Sequence, residues 1–263
     1  MSLRNYVEHL QSQGLYWCLR NDIIIALKIN AHSFQKAAKL LAEKNKLKRV
    51  KGDFYIIVPP EYRATGSLPA TWFIDALMTH LKQPYYVSLL TSASLQGAAH
   101  QQSMVFQVIS TKAMRNITVG QVRIEFIRKN TIHPHYYKPI KTATGKMNVA
   151  TVEMTAFDLL TYMNKAGQIN SIATVLCELA EKLDVSLLTT LLEAKEVPLA
   201  SAQRLGYLLE TLKLPLNLDQ FARVVTKKEP SQRLLVTGSD EPVIEYNPKW
   251  HIKANENVEP DEL

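Results

Sequence analysis

The 263-residue chain has only two cysteines, nine glycines and no apolar run that approaches the roughly 20 residues of a membrane span. Its first residues, MSLRNYVEHLQSQ, lack the continuous apolar core of a signal peptide. The two cysteines, Cys18 and Cys177, lie in apolar, helix-like stretches, where a reduced and buried thiol is expected. The sequence therefore predicts a cytoplasmic protein without membrane segments or structural disulfides.

Catalytic motifs are also missing from the sequence. It has no Gly-rich phosphate loop, no HExxH, no cysteine pairs at zinc spacing and no nucleophile elbow. His133 and His135 flank a proline with no Cys or carboxylate close by, so a plain loop explains them better than a metal site. Asp75, Glu125 and Lys129 are the residue types of a metal-dependent nuclease but lack its spacing. We therefore expect no enzymatic activity, no metal and no cofactor.

Acidic residues are almost missing from one short window near the start of the chain. Residues 28–51 contain eight Lys and Arg and a single acid, Glu43, so this window carries a net charge of +7. The whole chain also carries +7, and the remaining residues therefore sum to zero. Clustered cations repel one another, and a polyanionic partner relieves that repulsion. A solvated basic surface explains most charge runs, but the structure predicted around this window favours DNA.

Residues 1–62 are predicted to form a winged helix-turn-helix domain. The apolar spacing in LRNYVEHL predicts a first helix, and NDIIIALKI predicts a short second one. After the turn NAHS, Ser33 is expected to cap a third helix, SFQKAAKLLAEKNK. The alternating stretch LKRVKGDFYIIV then predicts a β-hairpin with Gly52 and Asp53 at its tip. Asn45 ends the third helix, because Asn tolerates the left-handed conformation of a C-cap.

The outward face of the third helix and the hairpin are the expected DNA contacts. An α-helix fits the major groove, where its first turns reach base edges. Gln35 is the best candidate for reading an adenine, while the hairpin cations bind phosphates and set register. The predicted DNA-binding residues are Ser33, Gln35, Lys36, Lys39, Lys48, Arg49 and Lys51.

The rest of the chain predicts an α+β domain in which a sheet precedes the helices. The stretch Pro59–Pro69 breaks both periodicities and is typical of a linker. Strand candidates are YYVSLL, MVFQVIS, VGQVRIEFIRK and the hairpin IKTATGKMNVAT. Helices follow from TAFDLL onwards, and the first of them is predicted to begin with a capping box of Thr155 and Asp158. The predicted C-terminal domain spans residues 67–255, and residues 256–263 form an acidic tail.

Several segments together resemble the AbiEi-family antitoxins of type IV, or abortive-infection, toxin–antitoxin systems. They are the helix-turn-helix and then, in order, YYVSLLTSASLQGAAHQ, VRIEFIRK, NVATVEMTAFDLLTYMNKAG, QRLGYLLETL and KWHIKAN. The resemblance implies an autorepressor that binds inverted repeats in double-stranded DNA, with two copies on the DNA. It also implies an antitoxin that counters a nucleotidyltransferase toxin, without direct contact being assumed. It gives Arg204 and Tyr207 a candidate role in the antitoxin domain, although helix packing explains both residues as well.

Two other functions remain open from the residues. The protein could be a winged-helix transcription regulator whose second domain binds a small ligand or a protein unrelated to a toxin. It could instead be a nuclease that uses the winged helix for delivery, although the sequence lacks a carboxylate–lysine cluster.

Overall fold

The computed structural model of the chain describes residues 1–98, 105–239 and 241–260. The chain forms two compact units, Met1–Val87 with Met104–Val149, and Ser88–Ser103 with Ala150–Leu263. The boundary predicted between residues 62 and 67 lies inside the first unit, so the division into 1–62, 67–255 and 256–263 stays a prediction. The α+β class is confirmed, since the described residues form both sheets and helices.

Three helices and a small sheet open the first unit. Their apolar faces meet in a core that includes Leu3, Phe34 and Leu47. The elements are α1 (Leu3–Ser12), β1 (Trp17–Leu19), α2 (Arg20–Leu27), α3 (Ala31–Glu43), β2 (Leu47–Lys51) and β3 (Phe54–Ile57). The hairpin of β2 and β3 was predicted, but β1 was not. Its three residues are too few for an alternating pattern, and β1 exists because it pairs antiparallel with β3.

The two ends of α3 differ in how well the sequence predicted them. The helix begins at Ala31, and the side chain of Asn30 caps it by accepting a hydrogen bond from the Ser33 amide at 2.8 Å. The prediction of Ser33 as the N-cap was therefore wrong, because Asn30 is an equally good cap three residues earlier. The predicted C-terminal end is confirmed. Asn45 has a φ of 49°, and the Lys46 amide donates to the Leu41 carbonyl as in a Schellman motif.

A mixed six-stranded sheet completes the first unit, and helix α4 (Ile74–His80) precedes it. Its strands are β4 (Tyr85–Val87), β5 (Phe106–Ser110), β6 (Ile117–Val119), β7 (Val122–Arg128), β8 (Tyr137–Thr142) and β9 (Gly145–Ala150). Their order in the sheet is β6-β7-β5-β4-β9-β8. β5 runs parallel to β7 and β4 parallel to β9, whereas β4–β5 and β6–β7 are antiparallel.

The stretch predicted as a linker is packed within the first unit. Leu68 is fully buried, and the Thr65 carbonyl accepts a hydrogen bond from the Gln121 amide at 2.9 Å. Gly120 has a φ of +55°, and a Cβ there would lie 2.3 Å from the Thr65 carbonyl oxygen. Only glycine fits this turn between β6 and β7. The proline- and glycine-rich composition thus marks irregular backbone rather than a free tether.

Helices dominate the second unit. They are α5 (Leu89–Leu95), α6 (Val152–Thr161), α7 (Met163–Ala166), α8 (Ile169–Leu179), α9 (Val185–Glu193), α10 (Leu199–Thr211) and α11 (Asp219–Lys227). A small sheet in the order β10-β12-β11 follows them, formed by Arg233–Leu234, Ile252–Ala254 and Glu245–Asn247 respectively. α10 is the central helix, because nine consecutive residues, 201–209, are buried. Among the described residues, no helix is long and apolar enough to cross a membrane.

Candidate nucleic-acid interface

Helix α3 separates an apolar face from an exposed polar one. Its buried side chains are Phe34, Ala38 and Leu41, which pack against the other helices of the first unit. The exposed residues on its other side include all four predicted DNA contacts of this helix, which are Ser33, Gln35, Lys36 and Lys39. The side chains of Lys36 and Lys39 make no ion pair or hydrogen bond with any residue that the structure describes. Their charges are therefore available to an anionic partner.

The hairpin cations, in contrast, already have partners within the chain. The Lys48 ammonium donates to the Ala42 carbonyl at 3.1 Å, at the C-terminal end of α3. The Arg49 Nε donates to the Gly52 carbonyl at 2.6 Å across the hairpin tip. The Lys51 ammonium lies 5.8 Å from the centroid of the Phe126 ring. These contacts orient all three cations, and DNA would have to share or replace them.

Packing on both faces holds the hairpin in place. Ile57 belongs to the core of the N-terminal helices, whereas Phe54 and Ile56 belong to the core under the six-stranded sheet. At the tip, Asp53 pairs with the His80 ring at 2.8 Å. The hairpin therefore has one fixed position within the first unit, which suits a rigid contact with a nucleic-acid backbone.

Positive charge is concentrated in the first unit beyond the window that the sequence singled out. This unit contains 20 Lys and Arg against 7 Asp and Glu, a net of +13. The second unit contains the other 11 basic and 17 acidic residues, a net of −6. The apparent neutrality outside residues 28–51 thus conceals two opposite contributions. A field of one sign over one unit favours binding of a polyanion there.

The antitoxin-domain candidates lie inside the second unit. Arg204 is 7% exposed, and its Nε donates to the carbonyls of Leu234 and Leu235 at 3.1 and 2.9 Å. Burial, and then the charge of Arg233, lowers the pKa of this guanidinium. Tyr207 is 6% exposed. Both side chains hold α10 in the core, and a direct role for them in antitoxin activity stays a prediction.

A buried polar network in the second unit was missed by the sequence analysis. Asp158 is 1% exposed and accepts a hydrogen bond from the Ser88 hydroxyl at 2.8 Å. The hydroxyls of Ser92 and Thr155 lie 2.5 Å apart, and the Gln96 amide donates to both. The predicted capping box of Thr155 and Asp158 is wrong, because α6 begins at Val152 under the cap Thr151. Both residues instead connect α6 to α5, a tertiary contact that residue spacing could not reveal.

Replacing Asp158 by Ala is expected to lower the free energy of unfolding by about 1–3 kcal/mol, because the buried Ser88 hydroxyl loses its acceptor. Glu193→Ala is the control, since this exposed carboxylate lies at the end of α9 and its loss should change stability by less than about 0.5 kcal/mol. Urea unfolding followed by circular dichroism measures both. Equal midpoints for the two variants would contradict a structural role for the network.

The residues considered for metal or nuclease chemistry do not converge on a site. The rings of His133 and His135 stack 5.5 Å apart. Asp75 accepts from the Tyr85 hydroxyl at 2.9 Å, and the Lys129 ammonium donates to the Tyr86 hydroxyl at 3.0 Å. Within the described parts of the chain, no three His, Cys, Asp or Glu side chains are placed to hold a metal ion.

Comparison with known proteins supports the antitoxin half of the sequence interpretation. Residues 86–211 match the family model of the AbiEi antitoxin C-terminal domain, which confirms the resemblance found in the sequence. No curated protein sequence matches the chain. The fold is similar to that in the crystal structure of the RV2827C protein from Mycobacterium tuberculosis, with a TM-score of 0.69 and 14% identity over 95% of this chain and 89% of that one. At this identity the similarity concerns the fold alone.

Proposed function

We propose that the chain is an antitoxin of a toxin–antitoxin system and that it also represses its own operon. The antitoxin role is supported by the match of residues 86–211 to the family model of the AbiEi antitoxin C-terminal domain. The observation that carries the repressor half is the exposed face of α3. Its lysines are without partners among the described residues, in a unit with a net charge of +13. A helix of this kind supplies both base contacts and phosphate contacts to duplex DNA.

We infer that the N-terminal elements act as a winged helix-turn-helix. Helices α2 and α3 are joined by a short turn, and the hairpin of β2 and β3 follows α3 directly. In this arrangement α3 enters the major groove while the hairpin contacts the flanking backbone. The first turns of α3 carry Gln35, whose amide presents the donor and acceptor that adenine needs. Lys36, Lys39 and the hairpin cations then bind phosphates.

The proposed partners are those that the resemblance to AbiEi antitoxins implies. The DNA partner is an operator with inverted repeats upstream of the operon, bound by two copies of the protein. The functional partner is a nucleotidyltransferase toxin, whose effect the protein counters without a stable complex being required. Co-expression tests this half: growth arrested by the neighbouring toxin should resume when the full-length protein is supplied. Continued arrest at equal expression of both proteins would contradict the antitoxin assignment.

The DNA-binding half is tested on the region upstream of the protein's own gene, against random duplex of equal length. Wild-type protein should bind the upstream region tightly and random DNA weakly, with a steep dependence of the weak binding on salt. Gln35→Ala should weaken upstream binding by about 1–3 kcal/mol and leave random DNA unaffected, because base contacts alone carry sequence discrimination. Gel-shift titration at two salt concentrations measures both affinities.

The matched control is Gln13→Ala, which removes the same side chain from an exposed position next to α1. It should leave both affinities unchanged. If wild-type protein binds the two duplexes equally, the autorepressor proposal fails. If Gln35→Ala lowers both affinities alike, the residue contacts the backbone and another side chain reads the sequence.

A further inference from the structure

A cavity of about 370 Å³ lies within the first unit, outside the proposed DNA interface. Its walls come from β1, from α4 with the turn before it, and from the tip of the hairpin of β8 and β9. Small-molecule sites range over roughly 300–1,000 Å³. The cavity is therefore large enough for one small ligand, and nothing in the antitoxin or DNA-binding roles uses it.

Two tryptophans form its aromatic walls. The Trp17 indole stacks on Phe54 with ring centroids 5.4 Å apart and planes inclined by 12°. The Trp72 indole is held edge-on by Tyr16 and Tyr62, at 4.9 and 5.4 Å between centroids. Neighbouring rings thus fix both indoles, which lowers the entropy cost of presenting them to a flat ring.

The polar groups around the cavity carry opposite charges on different elements. Asp75 lies on α4 and is partly buried, whereas Lys146 lies on β9 and is exposed. The Tyr85 hydroxyl donates to one oxygen of Asp75, which orients the carboxylate. The Thr144 hydroxyl donates to the Trp72 carbonyl at 2.7 Å, so the hairpin tip that carries Lys146 is tied to the aromatic wall.

We propose that this cavity binds a mononucleotide, with guanine preferred over the other bases. The base stacks on the indoles of Trp17 and Trp72, since every base has a π-face and such stacking is sequence-tolerant. Asp75 accepts hydrogen bonds from the base edge, and Lys146 pairs with the phosphate. Guanine is preferred because its ring N–H and its exocyclic amine point the same way and can meet both oxygens of one carboxylate.

A small organic cation is the alternative occupant, because tryptophan faces and a carboxylate also attract quaternary ammonium groups. Lys146 at the rim disfavours a ligand with only positive charge and favours one with an anionic end. Among the described residues that line the cavity, Asp75 is the carboxylate, and it can still accept hydrogen bonds from a ligand because Tyr85 donates to one of its two oxygens.

Isothermal titration calorimetry of the full-length protein with GMP, AMP, CMP, UMP and guanosine tests the proposal. This binding measurement does not depend on the proposed function of the protein. GMP should bind saturably and most tightly, and UMP, which lacks an exocyclic amine, most weakly. Asp75→Asn should weaken GMP binding about 10-fold or more, because a charge-assisted pair is lost. Lys146→Ala should weaken GMP and leave guanosine unchanged.

Lys141→Ala is the matched control, since this exposed lysine lies on the same hairpin but not in the cavity wall, and it should bind GMP like wild type. Because Lys146 is exposed, its replacement should change stability little. Thermal melting verifies that both cavity variants are folded. The absence of saturable binding to every nucleotide at millimolar concentration would overturn the proposal. Wild-type affinity in both cavity variants, or saturable binding of choline without binding of any nucleotide, would also overturn it.

Discussion

Gly206→Ala is expected to destabilise the second unit by about 2 kcal/mol or more, despite the higher helix propensity of alanine. A Cβ at this position would lie 2.2, 2.3 and 2.5 Å from three ring carbons of Trp250, far inside contact distance. The ring cannot move aside easily, because Trp250 is fully buried and its Nε1 donates to Glu210 at 2.5 Å. The steric cost therefore exceeds the roughly 1 kcal/mol gained from helix propensity.

Urea unfolding of Gly206→Ala, alone and combined with Trp250→Leu, measures the contact directly. Each single variant should be destabilised, and the double variant should be more stable than the sum of the two losses predicts, because the smaller side chain makes room for the methyl group. Ala200→Ser, at a partly exposed position of the same helix, is the control and should change little. Additive losses, or a Gly206→Ala protein as stable as wild type, would show that the ring adapts.

Replacing Lys36 and Lys39 together by Ala is expected to lower DNA affinity about 100-fold at low salt, equally for upstream and random duplexes. The two ammonium groups are exposed on α3 and without partners among the described residues, so their loss removes phosphate contacts and leaves the fold intact. The magnitude of the slope of log K against log salt should fall by about two units, since each phosphate contact that forms on binding releases about one counterion. Fluorescence anisotropy at several salt concentrations measures affinity and slope together.

Lys213→Ala with Lys227→Ala removes the same charge from the second unit and serves as the control. This variant should bind almost as wild type does. Replacing the hairpin cations Lys48 and Lys51 should have a smaller effect than the α3 pair, because these ammonium groups already contact Ala42 and Phe126. A larger effect from the hairpin pair would assign the main phosphate contact to the hairpin instead of α3.

Local sequence patterns were sufficient to predict much of the structure of the first unit. The α3 face was readable because Phe34, Ala38 and Leu41 recur at helical spacing, and the hairpin because its residues alternate around Gly52. The left-handed Asn45 was predicted because few residues tolerate that conformation. Each of these features depends on residues within a few positions of one another, where sequence spacing determines which side chains meet.

Other features depend on partners far along the chain. The strand of Trp17 exists only through its pairing with β3, and Asp158 accepts from Ser88, seventy residues earlier. The close neighbour of Gly206 is the ring of Trp250, which is also distant in the sequence. No local pattern encodes such contacts, since the packing of the whole unit selects them.

By itself, the sequence determined the helix-turn-helix-like order of elements, the basic window and the resemblance to an antitoxin family, because all three are read along the chain. Only the tertiary structure decided how the charges divide between the units, which cations are already engaged, and that Trp17, Asp75 and Lys146 border one cavity. These properties arise where distant segments pack together, and burial and proximity there are set by three-dimensional contacts that residue spacing does not record.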